Sequence, residues 1–598
     1  MQLSKNFKFY FPVVILLGLA AYSSYSLVKA HFIIDVDKLP QYDFYDEIAP
    51  VRGGIYCSAF GREPYPLVRS MPAWRYRLDP VLLKKSKVIP PGEKTPRSPK
   101  AQAKTIATQL GLPPKNVFAM LEKTSGAGFQ NQYLGVSDSK AVHDILSNKS
   151  IVAGIKIEET YFRKYFESNR LSHVIKGINE KFNRYLCGTR GEIRGKRDAN
   201  GNLIKDKIEL NIPPKHGADV ILTVDNFLQK TVEEELAAGV VEYGAGSGWC
   251  VILDVKTGKV LAMATYPEMD LQKTYDNQDP ITLNKVIGYV YEPGSVMKVI
   301  TAAAAIDCGF AKPDTRYSTK RDEKDSNGAN KYYRLPNDSH KMDPVITVKD
   351  AIVESSNIVI GKLGYDMGPK RVYGYMSRFG FGRRVGIELP REEIGILWDY
   401  RKWNKATMSR APIGQGISVT PIQMASAYQT IANDGIRKKP YIVDKIVDSE
   451  KNDLLGRQED PGESVIKAST AYTVREMTLD VTTPKGTARR AKVKGYSVAG
   501  KTGTAQKTKE GVKGYLPGLY VATFCGIVPS GVVKRYSDDP EPVPPKIVVL
   551  VSLDFDEKRT YHAGGNSAGP VFKRITEKAM RYLEVVPDRL DELDEEDY

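Results

Sequence analysis

Apolar positions fall in three textures along the 598-residue chain. The first is residues 9–28, a run without a charge. Some twenty residues at about 1.5 Å each match a hydrocarbon core about 30 Å thick, which predicts a single transmembrane helix. Lys5 and Lys8 precede it, and Asp35 and Asp37 follow soon after Lys29. That bias puts residues 1–8 in the cytoplasm and the rest of the chain outside. Ala20, Ala21, Ser23 and Ser24 would suit a cleaved signal peptide, but the apolar run is long for that role.

The second texture, residues 29–217, is mixed. Residues 84–104 are basic and proline-rich and read as an exposed loop. Residues 156–185 read as helical in parts, and 188–206 as hairpins or turns. The third begins at residue 218. Residues 220–224 (VILTV) predict a strand and 228–238 a helix. Residues 249–253 and 260–264 predict a hairpin closed by Lys256-Thr257-Gly258. Residues 296–306 predict a strongly apolar helix, with further helices to about residue 435. Strands return at 496–498 leading into Lys501, at 519–527 and at 546–553, before a closing helix at 570–583. Strands at both ends with helices between predict one sheet assembled from distant pieces, beside a helical subdomain. Residues 586–598 form an acidic tail, frayed from Asp588 onward.

Composition narrows the classes. With 41% apolar and 26% charged residues the chain is globular, and its length calls for two or more domains. The net charge of +16 implies attraction to anionic surfaces. No zinc-finger spacing or recognition-helix pattern accompanies it, so a membrane or an anionic polymer fits better than nucleic acid. Five cysteines, Cys57, Cys187, Cys250, Cys308 and Cys525, are an odd count without C-x-x-C, which argues against a disulfide framework or a zinc site. Cys250, Cys308 and Cys525 sit among apolar residues and read as buried thiols. Six histidines without H-E-x-x-H argue against metal catalysis, and nothing calls for a cofactor.

Three short motifs then stand in one order: Ser295-Val296-Met297-Lys298, Ser355-Ser356-Asn357 and Lys501-Thr502-Gly503-Thr504. Each alone is cheap. Ser-x-x-Lys recurs at Ser26, Ser137 and Ser464, and Lys-Thr-Gly at Lys256. Each also has a bland reading: a capping serine with a snorkelling lysine, a helix junction, a strand glycine beside a surface lysine. Together they supply complementary chemistry. Ser295 follows the breaker Glu292-Pro293-Gly294, and Lys298 lies one helical turn further on the same face. A lysine on so apolar a helix is desolvated and its pKa falls. The neutral amine can then take the Ser295 proton. Ser355 is the candidate proton relay to the leaving amine, and Asn357 the residue that orients Lys298 and binds a substrate amide. Lys501 and Thr502 would hold a substrate carboxylate, and the Lys501 charge would lower Lys298 further. Gly503 permits close approach of another backbone, so a peptide could add along this strand. The N–H groups of Ser295 and Thr504 would form an oxyanion hole, each worth about 2.7–4 kcal/mol.

With these motifs the chain resembles the class B penicillin-binding proteins, the single-span peptidoglycan transpeptidases. Arg52-Gly53-Gly54-Ile55 is similar to the opening of their non-catalytic module, and residues 186–202 and 217–229 to their domain junction. Residues 291–298 and 414–423 (GQGISVTPIQ) resemble their catalytic signatures. The resemblance implies a mixed α+β chain: cytoplasmic tail 1–8, transmembrane helix 9–28, elongated pedestal 29–217, and transpeptidase domain 218–585. That domain would hold a central antiparallel sheet flanked by helices plus a helical subdomain, on the periplasmic side of the inner membrane. It also implies a reaction. Ser295 attacks the D-Ala-D-Ala carbonyl of a stem peptide, D-alanine leaves, and an amine of a neighbouring stem takes the acyl group. β-Lactams would acylate the same serine, and a polytopic glycan polymerase would be a partner. Residues 379–423 resemble the division-type enzymes more than the elongation-type.

Two departures stand out. Tyr56-Cys57-Ser58-Ala59-Phe60 replaces the Asp-Arg-Asn-Gly-like turn of the family, which bears on pedestal packing. A charged insertion near residues 320–331 bears on groove access. Other uses of the triple are a β-lactamase, a β-lactam sensor and an idle scaffold. The first lacks a Glu-x-x-Leu-Asn after Ser295, and the second has no room for signalling machinery in eight residues before Phe9.

Overall fold

The structure is a computed structural model that describes residues 41–593, apart from 61, 123–131, 168, 199–202, 509–513, 535, 537–538, 540 and 557–562. The tail 1–8 and the apolar run 9–28 lie outside the described residues. Among those described, no helix is long and apolar enough to cross a membrane.

The described chain opens with β1 (Tyr42–Ile48), β2 (Ile55–Ala59) and a long β3 (Arg62–Leu78). Helices Pro80–Lys85, Pro99–Gln109 and Pro114–Glu122 lead to β4 (Gln132–Ser137) and β5 (Ile155–Tyr165). Helix Ser172–Lys181, β6 (Gly191–Arg197), β7 (Leu203–Ile212) and β8 (Asp219–Asp225) follow. The stretch 84–104 is not a loop throughout. Ser98 caps a helix by accepting from the Ala101 N–H, and Pro99 opens it where no donor is needed. Within 156–185 the helical parts are Ser172–Lys181 and Asn183–Leu186, while residues 155–165 form a strand. They pair with β3 from Ile155 opposite Leu78 to Tyr165 opposite Val68. Their period is two, Ile155 and Ile157 alternating with Lys156 and Glu158.

Two compact units are present. β1, β6 and β7 form a three-stranded antiparallel sheet in the first, which combines Cys187–Gly217 with residues 41–51. Arg52–Leu186 groups with the chain from Ala218 onward in the second unit. The physical reason is β2, which is the parallel neighbour of β8, with Ile55 opposite Val220.

β9 (Ser247–Asp254) and β10 (Val260–Tyr266) form the expected hairpin, and Gly258 takes φ +77° in its turn. Helices then dominate, interrupted by the short pair β11 (Arg316–Ser318) and β12 (Val345–Thr347). β13 (Ile436–Arg437), β14 (Val443–Val447) and β15 (Glu463–Ser464) follow; β13 pairs with β15, and β14 with β8. β16 (Ala499–Gln506), β17 (Tyr520–Val528) and β18 (Ile547–Phe555) complete the main sheet. Its order is β10-β9-β18-β17-β16, antiparallel throughout. The sheet is indeed assembled from distant pieces: Val251 faces Leu550. β18 is buried along its whole length, which explains its unbroken apolar run. Helices Asn226–Tyr243 and Ala568–Tyr582 cover the sheet together, and helix Pro421–Ala432, buried at all twelve positions, packs on it as well. β16 is left as an edge strand.

Two local expectations change. Cys57, Cys250 and Cys525 are buried, but Cys308 is exposed, because it caps the C-terminus of helix Lys298–Asp307. The acidic tail does not fray at Asp588. Its carboxylate is buried and accepts from both the N–H and the hydroxyl of Ser497, two residues before β16. Removing it strands a buried donor, so Asp588→Ala should cost about 1–3 kcal/mol in urea unfolding. A midpoint equal to wild type would mean this contact does not hold the tail.

Candidate active site

The site begins with a forced close approach. Gly294 (φ +56°) donates its N–H to the Gly414 carbonyl at 3.0 Å. Gly414 itself takes φ +80°, and a Cβ there would lie 2.2 Å from the Gly294 oxygen. Only a bare backbone fits. The chain then makes a 3-10 turn over Gly294–Met297 before the α-helix Lys298–Asp307. The sequence suggested a helix starting at Ser295; the tighter turn eclipses residues three apart, which stacks Ser295 and Lys298. Two contacts pin this segment: Tyr428 donates to the Val296 carbonyl at 3.0 Å, and Thr301 to the Pro412 carbonyl at 2.6 Å.

Lys298 is fully buried. Its ammonium donates to the Ser355 carbonyl at 2.6 Å, the Ser355 hydroxyl at 3.1 Å and Asn357 Oδ1 at 2.8 Å. Ser355 reaches it twice because its φ is +65°, a left-handed conformation that a non-glycine residue seldom adopts. The turn lies between helices Val348–Val353 and Asn357–Met367, and Ser356 caps the second by accepting from the Val359 N–H at 3.0 Å. Burial pushes the Lys298 pKa well below its ordinary value; the Lys501 cation adds to that, and the Asp338 carboxylate opposes it. Ser295 is half-buried one turn away and is not among the hydrogen-bond partners of Lys298 in this resting arrangement.

β16 supplies the opposite wall. A Cβ on Gly503 would meet the Pro293 oxygen at 3.1 Å and Val296 Cγ1 at 3.2 Å, so the segment Pro293–Val296 lies directly on this strand. Lys501 is fully buried, and burial brings its pKa to about 7. It donates to Thr502 Oγ1 at 3.1 Å and to Thr487 Oγ1 at 3.5 Å, and those two hydroxyls are 2.9 Å apart. Thr504 Oγ1 accepts from the Gly564 N–H at 3.1 Å.

These walls enclose a cleft of about 260 Å³. Ser295, Ser355, Asn357, Thr502 and Thr504 line it; Lys298 and Lys501 lie beneath its lining. All seven of these residues, with Gly503 packed against the Gly294–Met297 turn, are brought together in the fold. Residues outside the three short motifs also line the cleft: Ser339, Gln415, Thr487 and Gly564. Gln415 belongs to the 414–423 signature; the other three carry no signal of their own in the sequence. A second depression of about 310 Å³ surrounds Lys256, Lys438 and Arg457, but no serine lines it. Among the described residues, no group of His, Cys, Asp and Glu side chains could hold a metal ion.

The chain has relatives among known proteins. Residues 248–577 match the family described as penicillin binding protein transpeptidase domain. The chain is 30% identical over 506 residues to penicillin-binding protein PbpB of Mycolicibacterium smegmatis, covering 79% of this chain and 72% of that one. It is 31% identical over 399 residues to the probable peptidoglycan D,D-transpeptidase PenA of Neisseria flavescens, covering 66% and 90%. Among solved structures it resembles penicillin binding protein 3 of Mycobacterium tuberculosis complexed with aztreonam, with a TM-score of 0.64, 25% identity and coverage of 91% and 98%.

Lys501 exposes the electrostatic cost of the site. Folded, it loses its proton near pH 7; unfolded, near about 10.4. Between those values the unfolded chain holds the extra proton, so stability rises with pH; below pH 7 the cost of the buried ammonium is fully present. Lys501→Met should flatten the rise of the urea midpoint between neutral and alkaline pH. An unchanged slope would show that this amine is not desolvated.

Proposed function

The chain belongs to the penicillin-binding protein transpeptidase family, and from that premise we propose how its residues carry the reaction. It is a serine-type D,D-transpeptidase of peptidoglycan synthesis. Ser295 Oγ attacks the penultimate D-alanine carbonyl of a donor stem peptide as Lys298 accepts its proton. The tetrahedral oxyanion sits between the N–H groups of Ser295 and Thr504. Collapse expels D-alanine, whose amine collects a proton through Ser355. The donor carboxylate rests against Thr502, with the Lys501 charge below it. An amine from a second stem then attacks the Ser295 ester, and the new peptide bond releases the enzyme. The observation that carries this reading is a fully buried Lys298 on three acceptors, with its pKa depressed. An amine so placed gives up its proton more readily than an ordinary lysine, as a general base must.

The same serine is the point of β-lactam attack, a reading supported by the resemblance to an aztreonam-bound relative. A septal role is supported by the similarity to PbpB, PenA and penicillin binding protein 3. Residues 9–28 serve as the single membrane anchor, which places the catalytic domain in the periplasm. A polytopic glycan polymerase is the membrane partner that the family resemblance suggests.

Full-length protein in detergent, treated with a reporter penicillin and digested, should carry the adduct on the peptide spanning Tyr291 to Lys298. Ser295→Ala should abolish it, and Lys298→Ala should slow labelling by about three orders of magnitude or more. Adduct on another serine, or unchanged labelling of Lys298→Ala, would refute the assignment.

A further inference from the structure

The charged insertion between β11 and β12 does more than border the groove. It is strapped along helix Asn357–Met367, the helix that begins with the catalytic asparagine. Halfway along the helix, the buried Lys362 ammonium donates to the Ser318 and Lys320 carbonyls at 2.8 and 2.7 Å and to Glu323 at 2.7 Å. Towards its C-terminal end, Tyr332 donates to Asp366 at 2.9 Å, and Tyr332 and Leu335 also pack on Ile358 near its start. At the near end, Asp338 accepts from the Asn357 N–H, from the Ile358 N–H at 3.1 Å and from the Ser356 hydroxyl at 3.0 Å. The neighbouring Asn337 carbonyl accepts from Asn357 Nδ2 at 2.7 Å.

The last contact decides an orientation. A carboxamide has one donor end and one acceptor end. With Nδ2 committed to the Asn337 carbonyl, Oδ1 must face Lys298, where it accepts at 2.8 Å. Were the amide reversed, two donors would meet and the base would lose a partner. Resting on the transpeptidase reading above, we propose that Asp338 is a positioning residue of the active site, holding the Asn357 turn so that its amide oxygen meets Lys298 and setting a negative charge against that base. The charged groups acting on Lys298 from the elements packed around it are Lys501 on β16 and Asp338 on the insertion. One opposes the ammonium and the other favours it.

The test compares wild type, Asp338→Asn and Asp338→Ala as full-length proteins in detergent, reading the second-order rate of reporter-penicillin acylation across pH. Acylation needs neutral Lys298, so the rate climbs with pH. Loss of the carboxylate removes a group that favours the ammonium, and the climb should move to lower pH in both variants. Asparagine still accepts from the Asn357 N–H and should keep most of the plateau. Alanine frees the turn and should lower the plateau by about 10²-fold, the scale of a misplaced catalytic group. If Asp338→Ala does not fold, the pH shift in Asp338→Asn decides. A wild-type profile in Asp338→Asn, or a wild-type plateau in a folded Asp338→Ala, overturns the inference. Those results leave Ser295 labelled in wild type; absence of that label instead overturns the transpeptidase reading.

Discussion

The structure depends on keeping an amine out of water. Lys298 cannot be solvated where it lies, so its charge is opposed by burial and by a second buried amine, Lys501. Three oxygens from one tight turn compensate the donors without restoring a carboxylate contact. A direct ion pair would satisfy the geometry equally well but would fix the proton on nitrogen. Neutral acceptors hold the group in place and leave it free to act as a base.

The surrounding fold serves this arrangement. The nucleophile turn is wedged between Gly414 on one side and Gly503 on the other, and neither position has room for a side chain without displacement. Because β16 is the edge of its sheet, one side of the strand pairs with β17 and the other is free to meet the nucleophile segment and a peptide. The helix Pro421–Ala432 ties the turn to the sheet through Tyr428 and Val296. The left-handed Ser355 is local strain retained where it places two oxygens on one ammonium. Distant parts of the chain are thus fixed relative to one hydroxyl by backbone contacts that tolerate little change.

Much of this was legible in the sequence. Apolar runs marked β8, β9, β10, β17 and β18, and the ordered motifs named the eight residues that the fold gathers. What escaped was encoded without a periodic signal. The alternation in Ile155–Tyr165 was hidden by its many charged residues, because both of its faces carry polar side chains. Cys308 looked buried from its apolar neighbours, yet a helix end turned it outward. Asp588 looked like part of a solvated acidic tail, and its docking on Ser497 depends on a partner 91 residues away. The charged insertion near residues 320–331 pointed only to groove access, whereas Glu323 within it and Asp338 beyond it bind the helix behind the site. Pairwise contacts between remote polar residues leave no pattern in a single chain.

The protonation state of Lys298 is the most direct point of attack on the account. Carbon-13 labelling at the lysine ε position, read by NMR through a pH titration with Lys298 and Lys501 assigned by substitution, measures it without any substrate. On this account the Lys298 signal should titrate well below the ordinary lysine range. A signal that titrates near the ordinary lysine value of about 10.4 would contradict it, and no buried base would then stand behind Ser295.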